Sequence, residues 1–134
     1  MVNDRFKDWK QPEIKNGELT KHNWLVQNKE RLKLGCKTDI GAFTYINAKH
    51  GVVIGRNVQI GSHCSIYTVS TIDNKMGKVT IKENARIGAH SAIMPGVTIG
   101  KNSIVGAYSF VNKNIPDNTV AYGVPVKIIR KNRE

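Results

Sequence analysis

The segment IKENARIGAHSAIMPGVTIGKNSIVGAYSFV, residues 81–111, decides how this chain folds. An aliphatic residue returns at every sixth position: Ile81, Ile87, Ile93, Ile99, Val105 and Val111. Four residues after each of the first five stands a small or slim one: Ala85, Ser91, Val97, Ser103 and Ser109. Glycine follows the aliphatic residue at Gly88, Gly100 and Gly106. A period of six matches neither the 3.6 residues of a helical turn nor the alternation of a long strand. It is the period of a β-helix, a solenoid of short strands and repeated turns. One coil cannot bury its own apolar residues, so stacked coils share a continuous core. The predicted fold is all-β, a parallel β-helix.

Upstream the same rule runs with interruptions. Leu34, Ile40 and Ile46 are six apart; the register slips by two and resumes at Ile54, Ile60, Ile66 and Ile72. A slip of three then precedes Ile81. Breaks in a solenoid map to surface loops, often on the binding side, which directs attention to residues 47–53 and 73–79. Three hexads make one roughly triangular coil, so residues 18 apart share a column, and Ala89 and Ala107 occupy one corner on successive coils. Counted through the slips, Asn47 and Thr68 fall on the same side, whereas His63 and His90 fall on different corners. Small side chains stacked at a corner leave a shallow groove with exposed backbone amides.

With 134 residues the chain suffices for one domain with a real core. Lys and Arg outnumber Asp and Glu by 21 to 10, a formal charge of +11. Such a balance favours polyanionic partners, or is simply solvated surface. The basic residues are dispersed apart from Lys127, Arg130, Lys131 and Arg133, and no aromatic-interleaved basic stripe is present, so nucleic acid is not an expected partner. Two cysteines make no disulfide framework. Cys64 takes a slim inward position and reads as core. No apolar run is long enough to cross a bilayer, and the charged N-terminal stretch lacks an apolar signal region. No membrane association and a cytoplasmic location are therefore expected.

Three parts are predicted. Residues 1–33 form a cap over the open end of the solenoid, where unpaired strand edges would otherwise recruit other chains. Residues 34–114 form the β-helix. Residues 115–134 form a basic tail, with Ile128 and Ile129 folding back onto the last coil. Trp9 and Trp24 suit packing inside the cap; Trp24 alternatively suits stacking on a sugar ring.

The run Ile87-Gly88-Ala89-His90-Ser91-Ala92-Ile93-Met94-Pro95-Gly96-Val97-Thr98-Ile99-Gly100, with Val105-Gly106-Ala107 and Ala121-Tyr122-Gly123-Val124-Pro125 after it, resembles the hexapeptide-repeat acyltransferases. The branch it resembles contains sugar acetyltransferases, including galactoside and maltose acetyltransferases and those acting on nucleotide-linked sugars. The resemblance implies a left-handed β-helix, a homotrimer with active sites between subunits, acetyl-CoA as co-substrate and a sugar acceptor. Carried over by motif position, Ala89 and Ala107 would present backbone groups to the pantetheine arm. Asn112 and Lys113 would lie further along the same groove. Lys127 and Arg130 would meet the nucleotide phosphates, in keeping with the preference of phosphate for Lys and Arg; solvated tail charge is the alternative. Asn47 matches an acceptor-side asparagine, with turn chemistry as its alternative.

One departure shifts the expected chemistry. The sugar O-acetyltransferases carry a catalytic histidine in the loop after the Ile66 strand, where this chain reads Tyr67-Thr68-Val69-Ser70-Thr71-Ile72-Asp73-Asn74. Acyl transfer from a thioester needs the nucleophile to lose a proton, a task suited to histidine. His63 and His90, each third after an aliphatic hexad residue, stand at turn corners; His63 is the preferred base and His90 a second catalytic candidate. Asp73 is a candidate to bind an acceptor amine or orient a histidine. A neutral amine already makes a good nucleophile, so the missing loop histidine favours N-acetylation of a nucleotide-linked amino sugar for surface polysaccharide synthesis, with O-acetylation of the galactoside or maltose type as the alternative. A non-catalytic β-helical assembly module is the reading from a different class. No metal is expected: a γ-carbonic-anhydrase-like site needs a His-x4-His pair, whereas His50, His63 and His90 lie 13 and 27 apart.

Overall fold

The computed structural model describes residues 6–133. Among the described residues, fourteen of seventeen short strands wind into stacked coils with three parallel faces. The first face holds Leu25–Gln27, Tyr45–Asn47, Ser65–Tyr67, Ala92–Ile93 and Phe110–Val111. The second holds Leu32–Leu34, Val52–Ile54, Val79–Ile81 and Thr98–Ile99. The third holds Asp39–Ile40, Gln59–Ile60, Arg86–Ile87, Ile104–Val105 and Thr119–Tyr122, and is closed by the antiparallel strand Lys127–Lys131. This is the left-handed parallel β-helix that the six-residue period and the resemblance predicted.

Within each unbroken run the hexad residues line up as expected, but across the break at Ile72 every later hexad sits one face away from where the count put it. Val26, Ile46, Ile66, Ile93 and Val111 pair in register on the first face. Leu34, Ile54, Ile81 and Ile99 do so on the second, and Ile40, Ile60, Ile87 and Val105 on the third. All of them except Leu34 are buried, and so are the slim residues Ala85, Ser91, Val97, Ser103 and Ser109. Each fully buried Ile contributes about 1.5–3 kcal/mol relative to an exposed one, and the columns make those contributions contiguous.

Glycine permits the close stacking at the corner that follows the third face. A Cβ on Gly61 would lie 2.5 Å from the Ala89 nitrogen, and one on Gly88 would lie 2.4 Å from the Ala107 nitrogen. Slim polar residues staple the same corner. Thr44 Oγ1 donates to the Gly61 carbonyl at 2.9 Å, Cys64 Sγ to that of Gly88 at 3.2 Å, and Ser91 Oγ to that of Gly106 at 3.1 Å. Among the described residues no buried side-chain nitrogen or oxygen is left unpartnered.

Four expectations need correction. Ile72 is not a repeat residue: it is 98% exposed at the tip of a hairpin in which Val69–Ser70 pairs with Lys75–Met76. Ile66 and Ile93 pair although 27 residues apart, nine more than one coil, so the interruption is a nine-residue excursion rather than a slip of three. Strand pairing begins at Leu25, inside the predicted cap, and Thr119–Tyr122 of the predicted tail supplies one more rung. The last strand does fold back, but Ile128 and Ile129 stay half exposed, and the tail packs through Ile115, Ala121 and Val126 instead.

Replacing Gly88 by alanine forces the corner apart against backbone that cannot retreat, so Gly88→Ala is expected to destabilise the fold by about 1–3 kcal/mol. The thermal midpoint measures this; an unchanged midpoint would show that the corner tolerates a Cβ.

Candidate active site

Three corners join the faces, and they differ in chemistry. The corner between the second and third faces places Lys37, Asn57, Asn84, Asn102 and Asn118 in the left-handed region, φ 55–61°. Asparagine suits that conformation. Beside this column runs a charge ladder, with Glu83 Oε2 2.9 Å from Arg56 Nε and Oε1 3.6 Å from Lys101 Nζ. The hydrogen bond from Arg56 holds the Glu83 carboxyl below its usual range.

The corner between the third and first faces uses the same backbone differently. Its left-handed column is Asn23, Phe43, His63, His90 and Tyr108, φ 58–67°. Phe43 and His63 have ring centroids 5.4 Å apart. His63 and His90 stack at 4.7 Å with 5° between planes, and His90 and Tyr108 at 4.8 Å with 1°. His63 and His90 therefore share one corner of one chain, contrary to the count that separated them. That count treated Ile72 as a hexad; once the hairpin is taken out, Ile60 pairs with Ile87 and the two histidines coincide. Both are exposed, as a turn position implies.

Ala89 and Ala107 sit beside this ring column on successive coils. A groove of about 360 Å³ runs along the third-face side of this corner, lined by Gly61, Gly88, Gly106, Ala107, Gln59 and Arg86, with Ala89 following Gly88. Among the described residues the N–H groups of Ala89 and Ala107 donate to no protein acceptor, while the neighbouring His63, His90 and Tyr108 N–H groups bond to carbonyls of the preceding coil. The predicted slim corner with available amides is thus present. Lys127 pairs with Tyr122, whose side chain packs over Gly106, one of the glycines that line the groove. Arg130 lies opposite Val120, further along the same strand.

The corner between the first and second faces gathers the acceptor-side candidates. Thr68 Oγ1 lies 2.9 Å from the Asn47 carbonyl and 3.3 Å from Asn47 Oδ1, and accepts the His50 N–H at 3.0 Å. Asn47 Nδ2 donates to the Tyr45 hydroxyl at 3.4 Å, and the Tyr45 and Tyr67 rings are 5.9 Å apart. The expected juxtaposition of Asn47 and Thr68 holds. From Thr68 the hairpin leaves the coil, carrying Asp73 at its tip, 3.8 Å from Lys75 Nζ. The Ser70 hydroxyl, and then the Lys75 charge, hold the Asp73 carboxyl below its ordinary range, so it is ionised at neutral pH.

Two of the coenzyme-binding candidates lie elsewhere than expected. Asn112 and Lys113 follow Val111 and stand at the hairpin corner, not on the corner of Ala89 and Ala107. Trp24 is 3% exposed within the core. It borders a cleft of about 400 Å³ beside the cap, but a ring so buried leaves too little surface to stack on a sugar. Cap packing is its role, shared with Trp9, whose indole N–H donates to the Thr38 carbonyl at 2.9 Å. Sequence reasoning missed Phe43 and Tyr108. Their signal was legible: each holds the place in its hexad that His63 and His90 hold in theirs.

The stacked coils with their six-residue period define the hexapeptide-repeat fold. The bacterial transferase hexapeptide pattern of six repeats matches residues 78–113. The galactoside O-acetyltransferase of Lactococcus lactis is 44% identical over 89 residues, 60% of this chain and 43% of that protein. YvoF of Bacillus subtilis, named an acetyltransferase by inference, is 32% identical over 116 residues, 84% of this chain and 67% of that one. A galactoside acetyltransferase solved with coenzyme A superposes with a TM-score of 0.74 at 30% identity, covering 82% of this chain and 60% of that one. AntD of Bacillus cereus, an N-acyltransferase solved with dTDP and 3-hydroxybutyryl-CoA, gives 0.60 at 27%, covering 83% and 70%. The chain belongs to the hexapeptide-repeat transferase family. It spans less than half the length of the galactoside O-acetyltransferases that it matches.

Burial raises the Cys64 thiol pKa, whereas Cys36 is exposed. Only thiolate reacts with a disulfide reagent, so the native protein is expected to release one equivalent promptly and the second on denaturation. Two prompt equivalents would show that the histidine corner opens.

Proposed function

We propose that the protein is an acetyl-CoA-dependent acetyltransferase with a sugar acceptor. The observation that carries this reading is the coincidence of three features at one corner: a groove floored by glycines, the available N–H groups of Ala89 and Ala107, and the exposed His63–His90 pair. The pantetheine arm lies in the groove, and its anionic nucleotide end points to Lys127 and Arg130. Asn112 and Lys113 stand on the adjoining corner, so in a homotrimer they meet the carrier bound by a neighbouring copy. A backbone N–H of the groove meets the thioester oxygen as it becomes an oxyanion. His63 accepts the proton from the attacking nucleophile; the C–S bond breaks, and free CoA leaves as its thiol. His90, stacked on His63, is the second candidate for that proton.

The acceptor residues Asn47 and Asp73 stand at the opposite edge of the first face, out of reach of His63 within one chain. A homotrimer with each site between two subunits reconciles them, because the hairpin of one copy then lies against the histidine corner of the next. The exposed Ile72 and Met76 on that hairpin favour such burial. One chain with a flat face per neighbour fits cyclic threefold packing.

Asp73 in place of a loop histidine supports N-acetylation of an amino sugar carried on a nucleotide: the carboxylate holds the ammonium form, which gives up one proton to solvent to become a nucleophilic amine, and His63 takes the second as the amide bond forms. Supply of such sugars for surface polysaccharide places the enzyme in the cytoplasm. The higher identity to galactoside O-acetyltransferases favours a second reading, transfer to a sugar hydroxyl. Thiol release from acetyl-CoA against nucleotide-linked amino sugars and plain sugars separates the two, and release with neither class would overturn both. With the best acceptor, His63→Ala is expected to lower turnover by about 100-fold or more while leaving the assembly intact. Near-normal turnover would move the proton to His90 or to the substrate.

A further inference from the structure

We propose that Phe43 and Tyr108 are positioning residues that clamp the His63 and His90 imidazoles into one ring column; the inference rests on the assignment of those histidines to acyl transfer. The fold supplies its own control. At the asparagine corner the same left-handed backbone carries Asn at four of five coils. At the ring corner it carries Phe43 at φ 64° and Tyr108 at φ 59°, two bulky residues that rarely adopt this conformation. Histidine is tolerated there, so His63 and His90 need no such explanation. Phe43 and Tyr108 do.

Neither ring is retained by burial, since Phe43 is 56% and Tyr108 66% exposed. What they touch is the histidine pair, Phe43 below His63 and Tyr108 above His90. Strained residues persist where the surroundings over-determine them, and they gather at functional sites. An exposed imidazole otherwise samples several rotamers; a ring on each side leaves the stacked pair one orientation. The order along the column also assigns sides. Tyr108 adjoins Ala107 and the groove, so it braces the thioester side, and Phe43 braces the opposite one.

Asparagine at either position removes the ring and suits the backbone better, so one substitution separates the two roles. For Phe43→Asn and Tyr108→Asn the expectation is a kcat about 10-fold lower or more, an acetyl-CoA KM within about twofold, and a thermal midpoint unchanged or higher. Phe43→Tyr and Tyr108→Phe, which keep the ring, should keep most of kcat. In proton spectra the ring hydrogens of His63 and His90 should shift when a neighbouring ring is removed. Undiminished kcat in both asparagine variants, or a midpoint that falls together with kcat, would overturn the clamp. If the wild-type chain transferred no acetyl group, the acyl-transfer reading would fail by itself. The spectra would still decide the clamp, because histidine resonances unmoved by both substitutions rule it out.

Discussion

Every coil of this molecule must return its strands to the columns set by the coil before, because the parallel ladder and the buried isoleucines tolerate no drift. At the corner after the third face the backbones are close enough that only glycine fits, with a hypothetical Cβ 2.4–2.8 Å from atoms of the next coil. Residues in excess of a coil therefore leave the prism sideways. The nine extra residues between Ile66 and Ile93 do so as the hairpin at Thr68–Gly77, anchored where the Gly77 N–H donates to the Thr68 carbonyl at 2.9 Å. That constraint locates the candidate site, since the hairpin and the groove are what a strictly repeating solenoid lacks.

Polar chemistry follows from the same geometry. Thr44, Cys64 and Ser91 are buried at the histidine corner, and each donates to a carbonyl of the next coil. The inside of the corner is thereby saturated, while outside it the amides of Ala89 and Ala107 keep their donors. A buried donor without a partner would be costly, whereas one at the surface is available to a ligand. The result is a rigid corner with a few polar groups aimed outward, which acyl transfer requires: fixed donors where charge develops and little reorganisation as it does so.

Much of the fold was legible because a period of six has few structural solutions, and within each unbroken run the columns it predicted are those that pair. The site was less legible, for a specific reason. Ile72 satisfies the hexad rule by its identity and spacing, yet the coil to which it would belong does not exist. Periodicity records residue type and cannot distinguish an inward isoleucine from one at a hairpin tip. That single ambiguity displaced His90 from His63. Trp24 was ambiguous in a different way: cap packing was the expected role and a sugar platform the alternative, and its burial in the core decides for the cap. Phe43 and Tyr108 escaped notice because a ring at a turn looks like incidental surface until its neighbours on adjacent coils are known.

The central claim is that a thioester carrier lies along the corner of Ala89 and Ala107. Calorimetric titration of acetyl-CoA into the wild-type chain and into Ala107→Phe tests it most directly, since Ala107 is exposed and a larger side chain there fills the groove without entering the core. The account predicts saturable binding to the wild type, and binding weakened about 10-fold or more in a variant of unchanged thermal midpoint. Equal affinity in the two proteins would contradict it.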